Sequence, residues 1–112
     1  MKIPINTKEL LDRVSGNAEF AKLMLDTFFG NLDERIDILS KDLENRDFDN
    51  LADNVHKMKG VVGNLALPRP FSILMDMHRE ARLKDYRKSE KLLRQLEGSL
   101  REAAEFNATL KF

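Results

Sequence analysis

Apolar residues recur at steps of three and four along nearly the whole chain and never alternate with polar ones, so the pattern supports helices and no half-buried strands. Phe20, Met24, Phe28, Leu32, Ile36, Leu39 and Leu43 form the first series, and Leu51, Val55, Met58, Val62 and Leu65 the second. A third runs through Phe71, Leu74, Met77 and Ala81, and a fourth through Leu93, Leu96, Leu100 and Ala103. Each reads as the buried stripe of an amphipathic helix.

Local breaks divide these series into elements. Thr7 is expected to cap a short helix of about Lys8–Val14, stopped by Ser15, Gly16 and Asn17. One long helix, or two nearly collinear ones bent at Gly30 and Asn31, should run from Ala18 to about Asn45. Asp47 should cap the next, Phe48 to about Leu65, which Pro68 closes because residues before proline avoid helical angles. Pro68 and Pro70 suit the first turn of a helix ending near Leu83, where a missing N–H does no harm. Asp85 should cap the last helix, Tyr86 to about Asn107, with Ser89, Glu97 and Arg101 outward. The expected architecture is all-α: an antiparallel up-down-up-down four-helix bundle with a short extra N-terminal helix. It forms a single domain over residues 1–112, with the core bundle at about 18–108.

Composition narrows the function. A chain of 112 residues suits one domain that can bury a core of its own. Without cysteine it can have no disulfide framework, thiolate zinc site or cysteine nucleophile. Nineteen basic residues balance nineteen acidic ones, so nucleic-acid binding loses its usual electrostatic driver. No apolar run approaches the ~18 residues a membrane span needs, and MKIPINTKELLD lacks a signal-peptide core. A soluble, cytoplasmic, monomeric protein without a membrane or nucleic-acid partner is expected.

One stretch does not read as scaffold. In VHKMKGVVGNLAL, residues 55–67, the second apolar series fixes which side of the helix is buried. His56, Lys59, Gly60 and Gly63 then share an outward face by their spacing of three, four and seven. Glycine inside a helix costs about 1 kcal/mol relative to alanine, and bare backbone beside an exposed imidazole lets another molecule come close. A neutral imidazole is a nucleophile at physiological pH, and an ammonium pairs with phosphate oxygens. The chemistry that fits is transient phosphorylation of His56. His78, in MDMHREAR, reads as a boundary histidine without a function. Leu74, Met75, Ala81 and Arg82 around it supply no metal ligand, and the lone Asp53–His56 pair leaves a metal site short of donors.

The run HKMKGVVGNLAL resembles the signature of histidine-containing phosphotransfer (HPt) domains: histidine, two residues, lysine, glycine, small residues, a polar residue and an apolar one. LLDRVSGNAEFAKLMLDTFF is similar to the family's opening helices and ENRDFDNLADNVH to the approach to its phosphohistidine. The resemblance implies that His56 is the phosphoacceptor, that Lys59 helps neutralise the phosphoryl group, and that Gly60 and Gly63 leave room for the donor. It further implies a receiver-domain partner of a response regulator or hybrid kinase, which supplies Mg²⁺ and an acidic pocket, with Lys57 and Arg69 at the rim of the docking face. The chain departs from the family's usual glycine and alanine at Ala66 and Leu67, and from its small residues at Val61 and Val62. Val61 and Leu67 are expected to alter the docking surface. No cofactor of its own, no ATP site and no kinase activity are expected, since the chain has no phosphate-cradling glycine loop. A dimerising kinase helix fits less well, because Lys57 follows the histidine where such helices carry an acidic residue. The alternatives from other classes are a bundle adaptor that binds a signalling partner without chemistry, and a metal-binding bundle.

Overall fold

The structure, a computed structural model, describes residues 3–112, and among these every regular element is helical. The described residues form six helices: α1 (Thr7–Arg13), α2 (Ala18–Gly30), α3 (Leu32–Glu44), α4 (Phe48–Asn64), α5 (Pro68–Arg82) and α6 (Tyr86–Ala108). Among the described residues no helix is long and apolar enough to cross a membrane.

Local chemistry sets most boundaries. The Asp47 side chain accepts the Asn50 N–H at the start of α4, and Asp85 accepts that of Lys88 at the start of α6. Pro68 occupies the first turn of α5. At α1 the cap is Asn6 rather than Thr7: its side-chain oxygen takes the Glu9 N–H at 3.1 Å, so Thr7 becomes the first helical residue. The chain from Ala18 is two helices, interrupted only at Asn31 (φ −109°, ψ 13°). The Arg35 N–H still reaches the Asn31 carbonyl at 3.1 Å.

Two stretches face differently from the expected pattern. In α2 the core takes Ala21, Leu25 and Phe28, Met24 is partly buried, and Phe20 is 49% exposed. Phe20, Ala21, Leu23, Met24, Leu25 and Phe28 make this helix apolar over so wide an arc that spacing alone does not fix its rotation. Ser89, expected outward, is fully buried, with a hydroxyl that has no protein partner. It stands four residues before Leu93, on the inward stripe of α6.

The core is continuous. Leu51, Val55, Met58 and Val62 of α4 meet Ile73, Leu74, Met77 and Ala81 of α5 and Leu93, Leu96, Leu100 and Ala103 of α6. α4 packs most extensively on α5, and α5 on α6. α1 lies over the turn between α4 and α5: the Asn6 N–H donates to the Ala66 carbonyl at 2.8 Å, with Ile5 and Leu10 fully buried beneath. With 23 residues, α6 is about 34 Å long and accounts for most of the 41 Å long axis.

Candidate functional site

α4 is held at both ends, which fixes the rotation of everything on it. At its start, Asp42 of α3 is buried and accepts the side-chain amides of Asn50 and Asn54 at 2.8 and 2.7 Å. At its end, the N–H of Ala66 bonds the Gly63 carbonyl and that of Leu67 the Val62 carbonyl, the paired bonds of a Schellman turn. Between these anchors Leu51, Val55, Met58, Val62 and Leu65 are buried as the spacing predicts, so His56, one position past Val55, points out and is exposed.

Lys59 follows one turn along, half-buried, and Gly60 is exposed. A Cβ added at Gly60 would meet nothing within 4 Å. Gly63 differs: a Cβ there would lie 3.0 Å from Cε1 and 3.2 Å from Cδ1 of Phe71. Its missing side chain is already used inside the chain, where the Phe71 ring crosses from α5 onto α4. Phe71, expected in the core, is half-buried as a result. An open groove of about 520 Å³ runs beside these residues, floored by Gly60, Gly63 and Phe71 and edged by Lys59, Asn64 and, from α1, Glu9 and Arg13. Lys57 and Arg69 are exposed and do not line it. Leu67, expected at the docking rim, is fully buried because it carries α5 back onto the core, while Val61 is half-buried. Val61 and Asn64 border a second shallow groove with Phe20 and Leu23 of α2, and of these Phe20 had been expected in the core.

The structure adds His78. α4 and α5 form a hairpin about Leu67, so residues equidistant from Leu67 face one another: Gly63 meets Phe71, and His56 meets His78. The two imidazoles lie with centroids 5.7 Å apart and planes tilted by 45°. Burial, then the charges of Lys59 and Arg82 and the neighbouring His56, hold the His78 pKa below the ordinary histidine value, against an opposing pull from Asp53. No local spacing could have found this pair. The only signal in the sequence is the mirror symmetry of a helical hairpin once its turn is placed at Leu67.

An exposed imidazole on a rigid helix, with a cation one turn away and open backbone beside it, can attack an electrophile brought by another molecule. Among the described residues no group of three or more histidine, cysteine or acidic side chains could hold a metal ion. No curated protein and no solved structure matches the chain. A family match does cover residues 23–106, which takes in α3, α4 and α5 whole, most of α2 and α6, and every residue of the site on α4 and α5. The chain belongs to the Hpt domain family, the histidine phosphotransfer modules of two-component signalling.

Proposed function

We propose that His56 accepts a phosphoryl group from the phosphorylated aspartate of a receiver domain and passes it to another receiver. The observation that carries this reading is the exposed His56 on a helix fixed at both ends, with Lys59 one turn along and no side chain at Gly60 to obstruct an incoming domain. The lone pair of one ring nitrogen forms the N–P bond as the bond from phosphorus to the aspartyl oxygen breaks and the carboxylate leaves. Lys59 offsets charge on the phosphoryl oxygens. The receiver would bring Mg²⁺ and the acidic pocket, and positioning with charge neutralisation would supply most of the rate. The groove beside Gly60 and the apolar flank of Phe20, Leu23 and Val61 lie on either side of this face as docking surface, with Lys57 and Arg69 at its rim.

Incubation with a phosphorylated receiver should place acid-labile, base-stable label on the protein, and His56→Gln should abolish it. Lys59→Ala should slow transfer about tenfold or more, the loss of one charge-assisted contact in the transition state. Label that persists in His56→Gln would sink the assignment.

A further inference from the structure

The α4–α5 hairpin brings two imidazoles together from two helices, those of His56 and His78, with ring centroids 5.7 Å apart. An imidazole nitrogen lies about 1.2 Å from its ring centroid and a bound Zn²⁺ about 2.0 Å beyond it, so two histidines at a tetrahedral angle on one ion have centroids about 5.2 Å apart. The observed spacing is within about 0.5 Å of that chelate. Turning each ring about its Cβ–Cγ bond, a soft torsion, points a nitrogen of each at a common place between them. His56 is exposed and His78 half-buried, so that place is open to water on one side. Among the described residues no third histidine, cysteine or acidic side chain joins them as a ligand, so water fills the remaining positions. Asp53 of α4 acts on His78 as a negative neighbour, and Lys59 of α4 and Arg82 of α5 as positive ones. These charges oppose a cation more than they favour it, which suits an exchangeable ion and not a permanent structural one. Local spacing offered His56 only Asp53 as a companion ligand; the second nitrogen comes from across the turn.

We propose that His56 and His78 form a two-histidine site for a divalent ion of the zinc and copper type, and that an ion bound there blocks phosphoryl acceptance. Imidazole nitrogen suits Zn²⁺ and Cu²⁺, whereas Mg²⁺ takes oxygen ligands, so the ion a receiver would bring does not compete for the pair. A neutral imidazole has one lone pair. An ion that takes it from His56 leaves that ring with an N–H and no nucleophilic nitrogen, so metal and phosphorus compete for the same electrons. Metal binding requires an unprotonated ring, and burial with the nearby cations already favours that state at His78. The site itself needs no phosphoryl group; its effect on transfer rests on His56 being the phosphoacceptor.

Zn²⁺ is the probe. At about pH 7.5, where an ordinary histidine is mostly neutral, adding it to the ¹⁵N-labelled wild type should move the ring-nitrogen NMR signals of His56 and His78 together, and millimolar Mg²⁺ should move neither. In calorimetric titrations His56→Gln and His78→Gln should each weaken Zn²⁺ binding about tenfold or more, since losing even a group that supports a ligand costs about ten- to a hundredfold. At a Zn²⁺ concentration that fills the wild type but not His78→Gln, label taken from a phosphorylated receiver should fall in the wild type relative to its zinc-free control, and much less in the variant. The same receiver meets the same zinc in both reactions, so any effect on the receiver is common to them. Zn²⁺ that moves one ring without the other, equal affinities in the wild type and His78→Gln, or equal loss of label in the two would each overturn the proposal. The NMR result needs no variant and so holds whether or not His78→Gln folds. A wild type that binds Zn²⁺ through both rings yet takes no label from any receiver removes the phosphoacceptor reading and leaves the metal site standing.

Discussion

Gly60 and Gly63 look alike in the sequence and do different things. Both sit inside α4, where alanine is worth about 1 kcal/mol more helix stability. At Gly63 that gain meets the Phe71 ring 3.0 Å away, so Gly63→Ala trades propensity against a displaced aromatic side chain. At Gly60 nothing opposes it. Gly60→Ala should therefore stabilise the protein by up to about 1 kcal/mol in denaturant titrations, while the methyl group stands where a receiver must approach. The second-order rate of phosphoryl transfer should fall about threefold or more, equivalent to roughly 0.7 kcal/mol of docking. A variant both more stable and equally fast would remove clearance as the reason for this glycine. His56, Lys59 and Gly60 were legible in the sequence because their relation is local: three and four residues apart on one helix, with the buried stripe naming the opposite face. His78 was not, because its partner lies across a turn. Gly63 was legible as unusual, but its contact with Phe71 was hidden for the same reason.

Four of the five connections between helices repeat one device. Arg46, Ala66 and Lys84, at φ 56°, 58° and 57°, each hold the left-handed conformation just past a helix end, and Ser15 and Gly16 do so together after α1. The N–H groups of Asp47, Leu67 and Asp85 then reach back five residues to the carbonyls of Asp42, Val62 and Glu80. Glycine normally takes such a position, since a Cβ there costs about 1–2 kcal/mol. Ala66 makes no side-chain interaction that would be missed beyond a small buried methyl group. After allowing for the extra freedom of glycine in the unfolded chain, Ala66→Gly should stabilise by about 1 kcal/mol and raise Tm by a few degrees. Arg46→Gly is the control: it relieves the same strain but removes the guanidinium 3.7 Å above the Tyr86 ring, worth about 0.5–1 kcal/mol, so it should change stability little. A destabilised Ala66→Gly would mean that the strain is not stored in this turn. The sequence announced these elements wherever the signal was a cap or a proline, as at Asp47, Asp85 and Pro68. It did not announce the rotation of α2, where six apolar residues left two faces equally good, and Ser89 was sent outward as a polar residue although its spacing of four from Leu93 sets it on the inward stripe.

Over the whole molecule, equal numbers of acidic and basic residues leave no net charge to drive acid unfolding near neutrality, so pH sensitivity must come from particular groups. His78 is one. Its pKa in the folded protein is lowered by burial and then by the Lys59 charge, so between the ordinary histidine value of about 6.5 and the folded value the unfolded chain binds more protons. Stability must therefore decline as the pH falls through that window, and His78 contributes nothing to the pH dependence above it. Asp26 acts in the same direction at lower pH. Its carboxylate is held below the usual 3.8, first by the Asn107 amide and then by Lys22, so the stability it adds is present above that value and is lost as the pH falls towards the folded pKa. Asp26 joins the end of α6 to α2 through Asn107, whereas His78 lies in the α4–α5 hairpin, and in one cooperative bundle both are felt in the same transition. The urea midpoints of the wild type and His78→Gln should keep a constant separation from about pH 8 down to about pH 6.5. Below that, the wild type should lose stability faster, because glutamine has no proton to take up. Subtracting the two curves cancels titrating groups remote from the α4–α5 hairpin, Asp26 among them. Curves that stay parallel down to about pH 5 would show that His78 can charge in place without cost, and the environment that keeps its ring neutral beside His56 would have to be abandoned.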